Sequence, residues 1–294
     1  MPEDPPPIGG KLVLSMPDSV TGKKQIFSMN IDGSEFNQLT DNSTYEAYFP
    51  SWSPDGSQIA YSSSLCGYQH GCLYVMNEDG SNAQVLKYAY YDTSLVLNGI
   101  KPLWSPEGNK ILFNACAYSC GGMSTIDLKT NEWIFIDWGR SPSLSPHGKY
   151  IVFSSRREDR SREDLYVRNA NRNGDAQRIT TTGMARKPVW GPRDDYIAYT
   201  WDGDSEEAVY LYEIKTQKIL ELETDLKFEG RPQWSKHGKL LMITGLTETN
   251  DKVLQFFHNT GRGMKFIKEM PHPGGDSATW WYYIKWYYDE EGDE

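Results

Sequence analysis

Five histidines, four cysteines and one acidic loop are the residues of this chain best suited to hold a metal or attack a bond. The histidines are His70, His147, His237, His258 and His272. No His-x-His pair or Glu-rich metal loop accompanies them, and no Gly-x-Ser-x-Gly nucleophile elbow occurs. No residue is therefore assigned a catalytic role, and a binding protein is expected before an enzyme. The cysteines fall in two tight pairs, Cys66 with Cys72 and Cys116 with Cys120. Two disulfides, four free thiols and a four-thiolate zinc site all fit that count. The spacings are not the two-residue gaps usual for zinc. Pairing within short loops favours disulfides, and hence an oxidising compartment: periplasm, cell surface or exterior. The acidic loop holds Asp202, Asp204 and Glu206. It offers calcium several oxygen ligands without the full EF-hand pattern, and a solvated acidic loop is the competing reading. No other cofactor is expected.

Two further groups suit binding. Lys101, Arg140, Arg186, Lys187 and Arg231 each lie within two residues of a Pro that opens a short β-prone run. Converging cations favour an anionic ligand, such as a carboxylate-bearing peptide or an acidic oligosaccharide. The alternative is that each pairs with a nearby acid such as Asp92, Asp225 or Glu229. The second group is aromatic. Tyr68 and His70 lie between the first cysteine pair and Tyr118 between the second, and Tyr88, Tyr90 and Tyr91 open a long connection running to Ile100. Closed cysteine pairs would stiffen these loops and reduce the entropy lost on binding. Tyr is a favoured contact residue at protein interfaces and can also stack on sugar. The alternative is that these rings cover one another. The segment Arg156 to Asp164 mixes charges evenly and reads as a solvated hairpin tip open to a partner.

The elements that must carry these residues repeat. Phe49-Pro-Ser-Trp-Ser-Pro-Asp-Gly56 returns with drift at Lys101–Gly108, Ser141–Gly148, Lys187–Asp194 and Arg231–Gly238. The anchors Trp52, Trp104, Leu144, Trp190 and Trp234 stand 52, 40, 46 and 44 residues apart. A period in the forties built of short strands marks a propeller blade. Each copy ends a strand at the anchor and turns through Ser-Pro-Asp-Gly, where Pro presets φ and Gly takes φ > 0. A run rich in β-branched and aromatic residues follows, such as Gln58–Ser62 or Tyr196–Tyr199. Two more strands complete the blade. The first copy lacks its opening strand, and the segment Thr279 to Tyr288 is a spare one. Donating it to the first blade would close the ring and leave no open sheet edge. The expected fold is all-β, a six-bladed β-propeller of four-stranded antiparallel blades. Residues 10–288 would form it, with 1–9 a flexible start and 289–294 an acidic tail.

The strings Asn30-Ile-Asp-Gly-Ser34 and Asn77-Glu-Asp-Gly-Ser81, with the Pro-x-Trp-Ser-Pro-Asp-Gly turns, resemble the TolB-type propeller repeat. The resemblance spans about residues 10 to 288. It implies a six-bladed propeller, usually exported, that often binds a protein partner. The family also supplies accessory domains of peptidases and of some sugar-processing enzymes. Its namesake carries an N-terminal α/β domain that this sequence does not contain.

Composition narrows the partner. The chain has 294 residues, 30 basic against 40 acidic, for a net charge of −10. Five of the acids sit in the last six residues. Nucleic acid is therefore a poor partner. No run of 18 apolar residues exists, so no transmembrane segment is expected. The opening MPEDPPP lacks the charged and apolar regions of a signal peptide. It suits either a cytosolic protein or a mature exported one. The expected protein is a monomer that binds a protein or peptide, with an anionic glycan as the alternative ligand.

Overall fold

A computed structural model describes residues 6–67, 71–90, 93–116, 121–158, 161–203, 207–261, 263–271 and 285–288. Strands β1 (Lys11–Pro17), β2 (Lys24–Asn30) and β3 (Asn37–Gln38) belong to the first sheet. The second sheet is β4 (Ala47–Trp52), β5 (Gln58–Ser63), β6 (Cys72–Asn77) and β7 (Gln84–Val85). A small hairpin of β8 (Lys87–Tyr90) and β9 (Thr93–Val96) follows. The third sheet is β10 (Gly99–Trp104), β11 (Lys110–Ala115), β12 (Gly122–Asp127) and β13 (Trp133–Trp138). The fourth is β14 (Arg140–Leu144), β15 (Tyr150–Ser155), β16 (Asp164–Asn169) and β17 (Gln177–Arg178). The fifth is β18 (Ala185–Trp190), β19 (Tyr196–Asp202), β20 (Glu207–Glu213) and β21 (Ile219–Glu221). In the sixth, β22 (Phe228–Glu229) and β23 (Gln233–Trp234) both pair β24 (Leu240–Leu246), which continues to β25 (Lys252–Asn259) and β26 (Met264–Pro271). The last strand, β27 (Lys285–Tyr287), returns to the first sheet, whose order is β27-β1-β2-β3. The fold is the expected six-bladed β-propeller, closed by the C-terminal strand.

The chain divides into two compact units, one centred on residues 11–140 and the other on 141–271 with 6–10 and 286–288. Within each, blades bury apolar residues against their neighbours. In the first unit Ala60, Leu73, Trp104, Ile111, Phe113 and Ile126 form one cluster. In the second, Val152, Leu165, Trp190, Ile197, Tyr199 and Tyr212 form another. Central strands such as β5 and β15 are buried on both faces, so they read as near-continuous apolar runs. The repeat tryptophans join blades, as expected. Trp104 Nε1 donates to the Ser51 carbonyl at 3.0 Å and Trp234 Nε1 to that of Val189 at 3.3 Å. Trp190 stacks on Tyr150 with ring centroids 6.2 Å apart.

The turns form as their residues dictate. Gly56 N donates to Ser53 O at 3.0 Å with φ at 72°. The Asp55 carboxylate accepts from the Ser53 and Ser57 hydroxyls at 2.6 and 2.8 Å, and these bonds hold it below the usual carboxylate range. Where the repeat in the fifth blade replaces Gly by Asp194, that residue adopts φ of 56°, a conformation Asp tolerates better than most.

The structure adds three details to these expectations. The long connection that Tyr88 opens contains a hairpin. Lys87–Tyr90 and Thr93–Val96 pair as the hairpin β8–β9, and its Ala89 N donates to Asn131 O at 3.0 Å. The inner strand of the sixth blade is broken between β22 and β23, where Pro232 cannot donate to a ladder. The charged segment before β16 is exposed at its described residues 156–158 and 161–162, but its end is anchored, because Glu163 and Asp164 are buried. Asp164 accepts from Thr180 Oγ1 at 2.8 Å and Arg178 Nη2 at 2.5 Å. Two carboxylates in a charged run thus take hydrogen bonds from chain up to 19 residues away.

Buried phenols make the fold sensitive to alkali. Burial pushes Tyr61 up to about 12 and raises Tyr199 further. In the unfolded chain these phenols ionise near pH ~10. Above that pH the unfolded state loses protons that the folded state keeps, so stability falls as pH rises from about 10 towards 12. Absorbance at 295 nm followed with circular dichroism should show a late tyrosine titration that coincides with unfolding. Full titration at pH 10 with the fold intact would contradict it.

Candidate functional site

The starts of the inner strands share a backbone device. Phe49, Lys101, Ser141 and Lys187 have φ of 57°, 57°, 49° and 52°, and each immediately precedes a repeat Pro. Strand register shifts between Tyr48 and Ser51, between Ile100 and Leu103, and between Arg186 and Val189. These are β-bulges. Pro offers no N–H to the ladder, so an extra residue is accommodated there, and the residue before it is re-aimed. A non-glycine residue in the left-handed region costs about 1–3 kcal/mol and persists only where its surroundings enforce it. A Pro two residues before the anchor Trp, inside a strand, was the sequence signal for these bulges. One result is seen in the first unit, where Lys101 Nζ stands 5.4 Å over the Phe49 ring. Arg140, the first residue of β14, is exposed.

The second unit gathers Arg186, Lys187 and Arg231. Arg186 Nη1 bonds the Asp202 carboxylate, and its Nε lies 3.4 Å from Glu163 Oε2. Glu163 is itself buried and accepts from Ser154 Oγ at 2.7 Å and Arg156 Nε at 3.2 Å. Burial lowers the Lys187 ammonium below its ordinary value; Glu207 and Asp202 oppose this, while Arg186 and Arg231 add to it. Arg231 is placed differently. Its Nη2 reaches the carbonyls of Pro142 at 3.4 Å and Pro188 at 3.3 Å, on the fourth and fifth blades. Its Nε is buried without a hydrogen-bond partner. Burial pushes the guanidinium down to about 10. Among the described side chains no carboxylate lies within ion-pair distance of it. Of the acids expected to pair with these cations, Asp225 instead accepts from Gln255 Nε2 at 2.5 Å. Asp92 and the Glu229 side chain lie outside the described residues. The preceding Gly230 seats Arg231: its N donates to Thr244 O at 2.6 Å, and a Cβ there would collide with Thr244 Oγ1.

The aromatic loops are seen only in part. Cys66 and Cys72 form a disulfide with Cα atoms 6.1 Å apart, across a separation of six residues. Cys116 is also disulfide-bonded, and no cysteine is free among the described residues. Cys120, Tyr68, His70, Tyr91, Tyr118 and the Tyr90 side chain lie outside the described residues. Tyr88 packs on Trp133 with centroids 5.9 Å apart. Trp133, Trp138 and Leu95 are exposed at 40%, 63% and 42%. The sequence reading missed these three because apolar residues on the outer strand β13 and on the hairpin strand β9 look like core by type alone. Reducing Cys66–Cys72 should cost about 1–3 kcal/mol, the range for a short closed loop. Thiol counting under denaturing conditions before and after reductant checks the bond; four thiols before reductant would refute it.

In the acidic loop, the Asp202 carboxylate is engaged by Arg186, and Asp204 and Glu206 lie outside the described residues. No group of three or more metal-ligating side chains occurs among the described residues. Among them, no helix is long and apolar enough to cross a membrane.

The TolB beta propeller domain model matches residues 6–169, more than half of the chain. An uncharacterized peptidase YuxL of Bacillus subtilis (strain 168) is 25% identical over 203 residues, which are 69% of this chain and 22% of that protein. An uncharacterized protein Atu1656 of Agrobacterium fabrum is 29% identical over 101 residues, 32% of this chain and 33% of that protein. The chain thus spans a third or less of those relatives. Among solved structures, TolB from Acinetobacter baumannii superposes with a TM-score of 0.72 at 22% identity, over 94% of this chain and 66% of that one. An oligogalacturonate lyase in complex with manganese superposes with a TM-score of 0.59 at 14% identity, over 90% of this chain and 75% of that one. Likeness at such identities speaks for the fold alone.

Proposed function

Since the chain belongs to the TolB β-propeller family, we propose that it is a non-enzymatic binding module outside the cytoplasm that recognises a protein or peptide. The observation that carries this reading is the set of bulges that present Lys101 and Lys187 from inner strands, with the half-buried Arg231 close to Lys187. Such strained, cationic positions on a rigid scaffold are typical of ligand contacts. The exposed rings of β13 beside the hairpin β8–β9 supply a second contact surface in the first unit. The disulfides favour an oxidising compartment.

The test is affinity capture from an envelope extract of the native host, read by mass spectrometry. A variant with Lys187→Glu and Arg231→Glu serves as control. A protein captured by the wild type, lost in the variant and rebinding in purified form is the expected result. No captured protein would overturn the reading. An anionic oligosaccharide is the alternative ligand, favoured by the same cations. It predicts binding of trigalacturonate in the absence of any protein partner.

A further inference from the structure

We infer that Arg231, with Lys187 beside it, forms a receptor for a single carboxylate presented by a peptide segment. This rests on the binding-module reading above and names the chemistry its inner-strand cations select. Three observations lead to it. First, one guanidinium, carried by the sixth blade, reaches the inner strands of two others, because Nη2 of Arg231 meets Pro142 O in the fourth and Pro188 O in the fifth. Both bonds are at the long end of the range, and neutral carbonyls leave the positive charge standing. Second, the donors are underused. A guanidinium carries five N–H groups in a planar fork matched to a carboxylate. Here Nε is buried with no partner. Third, two of the nearby acids are committed elsewhere. Glu163 serves Ser154, Arg156 and Arg186, and Asp202 serves Arg186.

The same neighbours select the ligand. With Glu163, Asp202 and Glu207 standing among these cations, the positive charge left over matches one carboxylate better than a chain that carries a negative charge on every unit. An oligouronate or a polyphosphate is such a chain. A peptide can bring one carboxylate amid neutral residues. The seat is built for this, since Gly230 is locked onto β24 through Thr244 and leaves no room for a side chain before Arg231.

The test uses the whole chain in isothermal titration at low ionic strength. The probes are a capped pentapeptide Ala-Ala-Glu-Ala-Ala, its Gln counterpart, the Gln peptide with a free C-terminal carboxylate, and trigalacturonate. The Glu peptide, the free-carboxylate peptide or both should bind at least ten-fold more tightly than the capped Gln peptide, and the pattern tells a side-chain from a terminal carboxylate. Arg231→Met should abolish that preference, and Arg231→Lys should keep part of it. Thermal melting of both variants confirms that they fold. Equal binding of all peptides, no binding, a preference that survives Arg231→Met, or tighter binding of trigalacturonate overturns the inference. A partner protein still captured by Arg231→Met would overturn it while leaving the binding-module reading intact. Failure of the wild type to capture any partner would instead remove that reading.

Discussion

Trp286→Ala should lower the unfolding free energy by about 3–5 kcal/mol, the cost of excising a large core aromatic. That is a large part of the ~5–15 kcal/mol that holds a typical domain. Trp286 is buried; its ring meets Phe256 edge-on at 5.5 Å and stacks on Tyr288 at 5.6 Å. Its indole donates to Gly9 O at 2.9 Å, and its main-chain N donates to Gln233 Oε1 at 3.2 Å. The Tyr288 hydroxyl adds a bond to Pro7 O at 2.7 Å. Residues 6–9, read from the sequence as part of a flexible start, therefore lie against the last strand. Gly10 completes the seat with φ of 99°, where a Cβ would run into the Tyr287 carbonyl. Urea denaturation followed by circular dichroism measures the loss. A change below about 1 kcal/mol with an unaltered slope would mean that the closing strand contributes little to stability.

Arg231→Met should stabilise the protein, by roughly 1–3 kcal/mol. Burial moves the guanidinium from its ordinary value down to about 10. A displacement of that size corresponds to roughly 3 kcal/mol, from which the loss of two long carbonyl bonds is subtracted. The sign follows from linkage. A base whose folded value is depressed releases its proton more readily in the folded state. The cost of burying the charge is fully present below pH about 10, and it is relieved as pH rises from there towards the unfolded value. The gap between variant and wild type should thus be flat at neutral pH and narrow above about 10. The alkaline loss caused by the tyrosines is common to both proteins and cancels in the difference. A variant less stable than wild type at pH 7 would show that Arg231 is compensated in the fold. A binding residue that destabilises its own scaffold is a known exchange of stability for function. A purely structural arginine would be expected to sit beside a carboxylate, as Arg178 does beside Asp164.

Blade number, turns and the closing strand were legible in the chain because their causes are local. Ser-Pro-Asp-Gly makes its turn within four residues, and alternating β-branched and aromatic runs make strands wherever they occur. The hairpin β8–β9 escaped notice because Lys-Tyr-Ala-Tyr and Thr-Ser-Leu-Val are too short to stand out from a loop. The bulges left a trace in the Pro that interrupts each inner strand, but not the left-handed backbone at Lys101 and Lys187.

Charge pairing was not legible at all. Arg186 pairs with Glu163, 23 residues upstream, and with Asp202, while Arg231 reaches Pro142 across a separation of 89. From sequence, five cations at the starts of four inner strands look alike. Only the packed blades distinguish Arg186, neutralised by two carboxylates, from Arg231, which among the described residues meets carbonyls alone. The sequence by itself determined the all-β propeller, since repeats, turn chemistry and strand propensity act over a few residues. The tertiary structure alone decided which cation is compensated, because that depends on desolvation and on distances between residues that only folding brings together.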